Sequence, residues 1–159
     1  MSKDPHLTNR KRISIEWGDC DPAQIVYFPR YFAFFDNCTT ALFKKAGLVK
    51  REMLKQYGII GIPIVEVQAS FRAPSRFSDE VEIVSHIRQF RRSSFLIQHQ
   101  LFNGGVLSVE CLETRVWARR SPNDPERIES TPIPAEVIAR FSGPSQSRGA
   151  QRNLRAKKK

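Results

Sequence analysis

A chain of 159 residues with 40% hydrophobic and 26% charged side chains has ordinary globular composition and can bury one core without disulfide or metal support. No apolar run approaches the ~20 residues of a membrane span, and Cys20, Cys38 and Cys111, odd in number and without CxxC spacing, argue against a disulfide framework and a zinc site. The net charge of +10 suggests nucleic acid only until it is located: residues 143 to 159 carry six basic side chains and no acid, so most of the excess is a tail.

The first residues, MSKDPHLTNRKR, carry charge but lack the apolar core of a signal peptide, so a cytoplasmic protein is expected. Residues 1–10 are read as a flexible N-terminus ahead of a single domain over 11–141. In KRISIEW, residues 11 to 17, Ile13, Ile15 and Trp17 alternate and predict a strand. A turn-prone stretch follows, after which Pro29 suits the first turn of a helix and Gly47 its end. Between them Tyr31, Phe34, Phe35, Cys38, Ala41, Leu42 and Phe43 leave a narrow polar stripe, so this helix is expected to be mostly buried.

From residue 63 the period changes to two, in PIVEVQASFRA, DEVEIVSHIRQF, SSFLIQHQLFN and VLSVECLETRVWARR. Asn103, Gly104 and Gly105 predict a hairpin turn between the last two, and APSRFSDE supplies another connection. RIESTPI reads as a last short strand after the loop SPNDPE, and PAEVIARF as a final helical turn or two. Residues 142–159 read as a disordered basic tail, to which no function is assigned. One long apolar helix against four or five long strands is an α+β arrangement whose antiparallel sheet must curl around the helix. The edge such a sheet leaves open favours a dimer that continues it.

The stretch IEWGDCDPAQIVYFPRYFAFFD, residues 15 to 36, sets two aspartates directly before the helix. With proline in the first turn, the amides of Phe28, Arg30 or Tyr31 have no intrahelical acceptor and point back at the loop, at the positive end of the helix dipole. They could hold a polarised carbonyl oxygen or an anion. A carboxylate at Asp19 or Asp21 beside such donors is what attack on an acyl group needs. The same residues also suit a plain structural role, an Asp-Pro turn and a helix cap. Elsewhere the chemistry is thin. His6, His86 and His99 have no partner at metal-ligand spacing, and there is neither a GxSxG elbow nor a P-loop.

The run GDCDPAxIVYFPxYFxxFD resembles the signature of the 4-hydroxybenzoyl-CoA thioesterase family of hot-dog proteins, in its Pseudomonas-type branch. The likeness continues through GIIGIPIVEVQASFRAPSRFSDEVEI and RQFRRSSFLIQHQ into ETRVWA, and so covers about residues 11 to 139. It implies a hot-dog fold, with a long central helix wrapped by a curved antiparallel sheet, assembled as a homodimer or homotetramer with active sites at the dimer interface. It also implies an acyl-CoA substrate, with no metal or cofactor.

By the same resemblance Asp21 takes the catalytic role, as nucleophile forming an acyl-enzyme anhydride or as general base towards water. The backbone N–H of Phe28 polarises the thioester carbonyl. Asp19 and Asp36 support the site, Asp19 by fixing the loop and Asp36 from the polar stripe of the helix. Arg91, Arg92, Ser94 and Arg127 match the segments that contact the phosphates of coenzyme A, which call for basic groups. Ser93 stands where a lysine is expected and Glu129 where another arginine is expected. Among the aromatic residues of the stretch, one or two of Tyr27, Phe28, Tyr31, Phe32, Phe34 and Phe35 are expected to line the acyl pocket, the rest being core. An aromatic acyl group such as benzoyl or hydroxybenzoyl is favoured. The alternatives are a short aliphatic acyl-CoA or acyl-carrier-protein thioester, or binding of acyl-CoA or nucleic acid without turnover.

Overall fold

The computed structural model describes residues 6 to 143. Five strands form one antiparallel sheet: β1 (Thr8–Ser14), β2 (Ile64–Phe71), β3 (Glu80–Phe90), β4 (Ser94–Asn103) and β5 (Val106–Val116), in the spatial order β1-β3-β4-β5-β2. The long helix α1 (Phe28–Lys45) lies across the inner face of this sheet, and α2 (Lys50–Tyr57) follows it. A short ribbon of β6 (Ala118–Ser121) and β7 (Asp124–Ser130) and a last helix α3 (Ala135–Ala139) complete the described chain. The α+β architecture expected from the sequence is therefore present. No helix among the described residues is long and apolar enough to cross a membrane.

Local chemistry accounts for the element ends. Pro29 sits in the first turn of α1, and Lys44 and Lys45 in its last turn complement the dipole. Gly47 then adopts φ +77°, which lets the Leu48 N–H reach back to Phe43 O at 2.9 Å and close the helix with the paired hydrogen bonding of a left-handed cap. Gly104 and Gly105 both have positive φ, as a two-residue hairpin turn between β4 and β5 requires.

Two contiguous clusters make the core. The N-terminal half of α1 packs Tyr31, Phe35 and Cys38 on Val81, Ile83, Leu101 and Val109. The C-terminal half packs Leu42 and Phe43 on Ile87, Phe95, Ile97 and Trp117. The helix thus runs along β3 in the same sense, and each end of the subunit has its own half of the core.

Several sequence expectations are corrected. Residues 8 to 10, expected in a flexible N-terminus, pair with Val84, Ser85 and His86 of β3. They carry no apolar side chain, so only their partner strand makes them a strand. The predicted strand over 11 to 17 stops at Ser14: Ile15 is core, whereas Trp17 is 68% exposed, rests edge-on against Phe77 and opens a 3-10 turn. Helix α2 was not anticipated, because its single buried side chain, Met53, leaves almost no periodic signal. The segment 106 to 120 breaks at the buried Trp117, whose N–H bonds to Ser93 O and whose carbonyl accepts from Thr131. The last strand begins earlier than expected, at Asp124. Along α1, Ala33, Asp36, Asn37 and Thr40 are exposed, so the stripe left uncovered is wider than the sequence suggested. Of the segment expected to be a basic tail, Ser142 bridges His6, and residues from 144 onward lie outside the described part.

The two edges of the sheet differ. Strand β1 presents Arg10, Lys11 and Arg12 in succession, a charged edge of the kind that resists further pairing. Strand β2 is exposed along almost its whole length although it carries Ile64, Val65, Val67 and Phe71. The helix reaches β2 only at its end, where Tyr31 and Phe32 touch the Phe71 ring, and leaves Ile64, Val65 and Val67 exposed.

Candidate active site

The loop before α1 is held by its own backbone. Asp19 closes the 3-10 turn by accepting the Glu16 N–H at 2.9 Å, while its other oxygen accepts Arg30 Nε and Nη2 at 2.9 and 2.7 Å. Its carbonyl accepts the Tyr27 N–H at 2.8 Å, so this buried residue ties the loop to the first turn of the helix. Residues 20 to 26 form a small reversal in which the Asp21 N–H bonds to Ile25 O and Cys20 bridges Val26. Asp21 Oδ1 accepts the Ala23 N–H at 2.8 Å, an Asx turn. Asp21 Oδ2 has no partner among the described residues. The carboxylate is oriented through one oxygen and open through the other.

The loop leads into the start of α1, to which the Asp19 carbonyl and the Cys20–Val26 bridge tie it. The Arg30 N–H reaches Tyr27 O, Pro29 has no N–H, and the Phe28 N–H meets no acceptor among the described residues. An unpaired amide at the positive end of an 18-residue helix is a donor for an oxygen that gains negative charge. A cavity of about 340 Å³ opens next to it, lined by Val26, Phe28, Tyr31 and Phe71 among others. Tyr31 is fixed there by the Ser75 N–H at 3.4 Å and by ring contact with Phe71, centroids 5.7 Å apart. Of the six aromatics considered in the sequence, Phe28 and Tyr31 line this cavity. Phe34 and Phe35 are core, Phe32 bridges Phe28 and Phe71 by ring contacts, and Tyr27 is exposed. A larger depression of about 460 Å³ lies between Arg10, Arg12, Glu82 and Gly104 at the outer edge of the sheet. Its charged walls suit an apolar acyl group less well than the cavity at Phe28 does.

The residues matched to coenzyme A lie elsewhere. Arg91 and Arg92 occupy the β3–β4 turn, closed by the Arg91 N–H on Ser94 O at 2.8 Å, and Ser94 begins β4. The Arg92 carbonyl accepts from Ile133, which fastens the strand leaving β7 to this turn. Arg127 stands on exposed β7 beside Ile128, and Ile128 lines a cleft with Ile60 and Ile64. Glu129 pairs with Arg119 at 2.9 Å. All four candidate phosphate contacts thus lie towards the end of the subunit where β3 finishes, whereas Asp21 and Phe28 sit where β3 begins. Strand β3 spans 11 residues, and its first and last Cα atoms are about 33 Å apart at a rise of ~3.3 Å per step, so one chain does not bring the two groups together.

A polar cluster inside the core was not singled out from the sequence. His99, fully buried, stacks on Phe35 with centroids 5.0 Å apart. Its Nδ1 meets Ser85 Oγ at 2.7 Å and its Nε2 meets Thr39 Oγ1 at 3.3 Å, with Glu113 Oε2 at 3.6 Å. Because Thr39 Oγ1 donates to Phe35 O, it accepts from His99, and the proton of the neutral ring is assigned to Nε2. Arg115 joins Glu113 to Asp36 on α1. The signal was present in the strand alternation, for His99, Glu113 and Arg115 fall at positions that should face the core. Among the described residues no group of three His, Cys, Asp or Glu side chains could share a metal ion.

Burial pushes His99 well below the ordinary histidine value of 6.5, against the opposing pull of Glu113. Burial also acts to raise the Glu113 carboxyl, but its contacts with His99 and Arg115 outweigh that and leave it below 4.5. The folded protein keeps His99 neutral while the unfolded chain binds a proton below 6.5. Stability is therefore full above that pH and falls as pH falls, by up to about 1.4 kcal/mol per pH unit. Glu113 adds a loss at still lower pH. Thermal unfolding followed from about pH 7.5 to 5 should show Tm declining below pH 6.5, and His99→Gln should flatten that decline. A Tm unchanged through this range in the unmodified protein would contradict the buried neutral ring.

Residues 15–141 match the thioesterase-like superfamily model. The chain is 38% identical over 138 residues to the 4-hydroxybenzoyl-CoA thioesterase of Pseudomonas sp. (strain CBS-3), covering 83% of this chain and 94% of that protein. Among solved structures it is similar to an aspartate-to-asparagine mutant of 4-hydroxybenzoyl-CoA thioesterase complexed with 4-hydroxybenzoyl CoA, with 34% identity, a TM-score of 0.79, and coverage of 86% of this chain and 99% of that one. It is also similar to a gentisyl-coenzyme A thioesterase, with 30% identity, a TM-score of 0.74, and coverage of 84% and 100%. With a helix-wrapping five-stranded sheet and a superfamily match across nearly the whole described chain, this protein belongs to the thioesterase-like superfamily and is a hot-dog-fold thioesterase.

Proposed function

We propose that the protein hydrolyses an aromatic acyl-CoA thioester, of the benzoyl or hydroxybenzoyl type, to the free acid and coenzyme A. The observation that carries this reading is the unpaired Phe28 amide at the start of α1, on an apolar cavity walled by Tyr31 and Phe71, with Asp21, one oxygen open, in the loop that leads into that helix. The 38% identical relative and the structural neighbour, both 4-hydroxybenzoyl-CoA thioesterases, support the aromatic acyl group. The thioester carbonyl accepts from the Phe28 N–H, so that negative charge developing on oxygen meets the helix terminus. Asp21 then acts in one of two ways. It attacks the carbonyl carbon, expelling the thiolate and leaving an anhydride that water cleaves, or it removes a proton from the attacking water.

The active unit in this reading is a homodimer, free or within a tetramer, joined through β2. Two copies of β2 paired antiparallel about a two-fold axis place Phe71 of one subunit near Ile64 of the other. The Phe28 cavity of one subunit then faces the end of the partner that carries Asp36, Arg127 and the 91–94 turn. Arg91 and Arg92 lie two to three strand positions from β2, roughly 10–14 Å, within the reach of an extended coenzyme A. Asp19 supports the site by latching the loop, and Asp36 by facing it from the partner subunit. A cytoplasmic location, where coenzyme A thioesters are held, belongs to the same proposal.

The test is thiol release from a panel of thioesters running from acetyl and butyryl through benzoyl and hydroxybenzoyl to phenylacetyl-CoA. Preference for the aromatic members by at least about tenfold in kcat/KM is expected from filling an aromatic-lined pocket. Preference for butyryl-CoA would replace the aromatic reading with the aliphatic one. Absence of turnover with every member, and with acyl-carrier-protein thioesters, would favour binding without catalysis.

A further inference from the structure

We infer that Arg115 is a positioning residue: anchored in the core by Glu113, it holds the Asp36 carboxylate in one orientation at the mouth of the cleft between α1 and the segment that leads into β2. Asp36 lies on α1 one turn beyond Phe32, with its side chain 53% exposed. A carboxylate so exposed would ordinarily move among rotamers. Arg115 prevents this from below. It is 4% exposed, and its Nη2 lies 3.0 Å from Asp36 Oδ1 and 2.8 Å from Glu113 Oε2. Nε donates to Glu113 Oε2 at 2.9 Å, and Nη1 donates to Ile62 O at 3.3 Å. Every guanidinium nitrogen is engaged, so the plane of the group is fixed, and Asp36 is tied both to the core and to the chain entering β2.

Stability does not account for the cluster. A buried ion pair rarely stabilises a fold better than packed apolar side chains of the same volume. Here Glu113 Oε1 is also buried without a hydrogen-bond partner, a deficiency that ordinarily costs about 1–3 kcal/mol. An apolar trio at 99, 113 and 115 would fill the same space between helix and sheet. It could not hold a carboxylate at the cleft that Asp36, Lys50, Ile64, Arg115 and Ile128 line, a space of about 410 Å³. The role of this cleft in turnover rests on the thioesterase reading above, in which a partner subunit turns it towards the acyl cavity.

Two measurements on the full chain test this. Crystal structures of the unmodified protein and of Arg115→Met should show Asp36 in one conformer against Arg115 in the first and displaced or in several conformers in the second. Asp36 unmoved in Arg115→Met would overturn the inference whether or not the protein is active. In kinetics with 4-hydroxybenzoyl-CoA, Asp36→Asn and Arg115→Met should each lower kcat/KM by about tenfold, and the double variant should be no worse than either, because both remove the same oriented carboxylate. Arg115→Lys should recover part of the loss. Effects that multiply in the double variant, or a lowered Tm with unchanged kcat/KM, would reduce Arg115 to a structural residue. Should Arg115→Met fail to fold, Glu113→Gln takes its place in both measurements with the same expected coupling to Asp36→Asn. Failure of the unmodified protein to turn over any thioester would instead overturn the thioesterase reading, and the crystallographic comparison would still decide the positioning.

Discussion

Asp21→Asn yields a folded protein that releases thiol at least about 10³-fold more slowly than the unmodified chain, with KM changed by less than about threefold. Asparagine keeps an oxygen for the Ala23 N–H, so the Asx turn that shapes residues 20 to 26 survives. The Asp19 latch to Arg30 and Tyr27 does not involve position 21 and also survives. What disappears is the negative charge on the open oxygen, which in the proposed mechanism either attacks the carbonyl or takes the proton from water. A 10³-fold loss corresponds to about 4 kcal/mol of transition-state stabilisation, an amount that a residue serving only as a turn former would not supply. Steady-state kinetics and thermal unfolding on the same preparation separate the cases. A large drop in kcat with Tm preserved supports the chemical role, and activity within tenfold of the unmodified protein removes Asp21 from the mechanism.

Mixing two impaired variants should restore activity at low substrate. Within one chain Asp21 and the Arg91–Arg92 turn are separated by the length of β3, about 33 Å at ~3.3 Å per residue. In the proposed dimer, joined through β2, the ends are exchanged, so that each site would take its carboxylate from one subunit and its phosphate contacts from the other. Arg91→Ala/Arg92→Ala should raise KM for the thioester by about tenfold or more, since each charge-assisted contact is worth roughly 1.5–3 kcal/mol when shielded and less at the surface. Coassembled with Asp21→Asn subunits, half of the dimers are mixed, and each mixed dimer carries one sound site. Activity at low substrate should therefore rise to about a quarter of that of the unmodified protein. If both contributions came from the same chain, every site in the mixture would be defective and no recovery would appear.

The parts of the candidate site visible in the sequence were those made by neighbours along the chain. Asp21 before Pro22, Pro29 in the first turn and the amide of Phe28 all lie within a few residues, and turn and capping chemistry act over that range. The helix end at Gly47 and the hairpin at Gly104 and Gly105 were legible for the same reason. Strand periodicity was legible too, although it could not show that Trp117 interrupts a strand or that Thr8 to Arg10 begin one. Those outcomes depend on what stands opposite, namely Ser93 and Thr131 around Trp117 and β3 beside residues 8 to 10.

The sequence by itself determined the alternation of one apolar helix with long antiparallel strands, and the placing of an aspartate loop at that helix's N-terminus, because both follow from side-chain period and backbone constraint over short spans. Tertiary structure alone decided that Arg30 is the partner through which Asp19 fixes the loop, and that Asp36 is tied through Arg115 to Glu113 in the core. It also decided that the phosphate-contact candidates lie a full strand length from Asp21. Each of these is a pairing between residues distant in the chain, and the energy of a buried charge or an open sheet edge is set by the group that comes to face it.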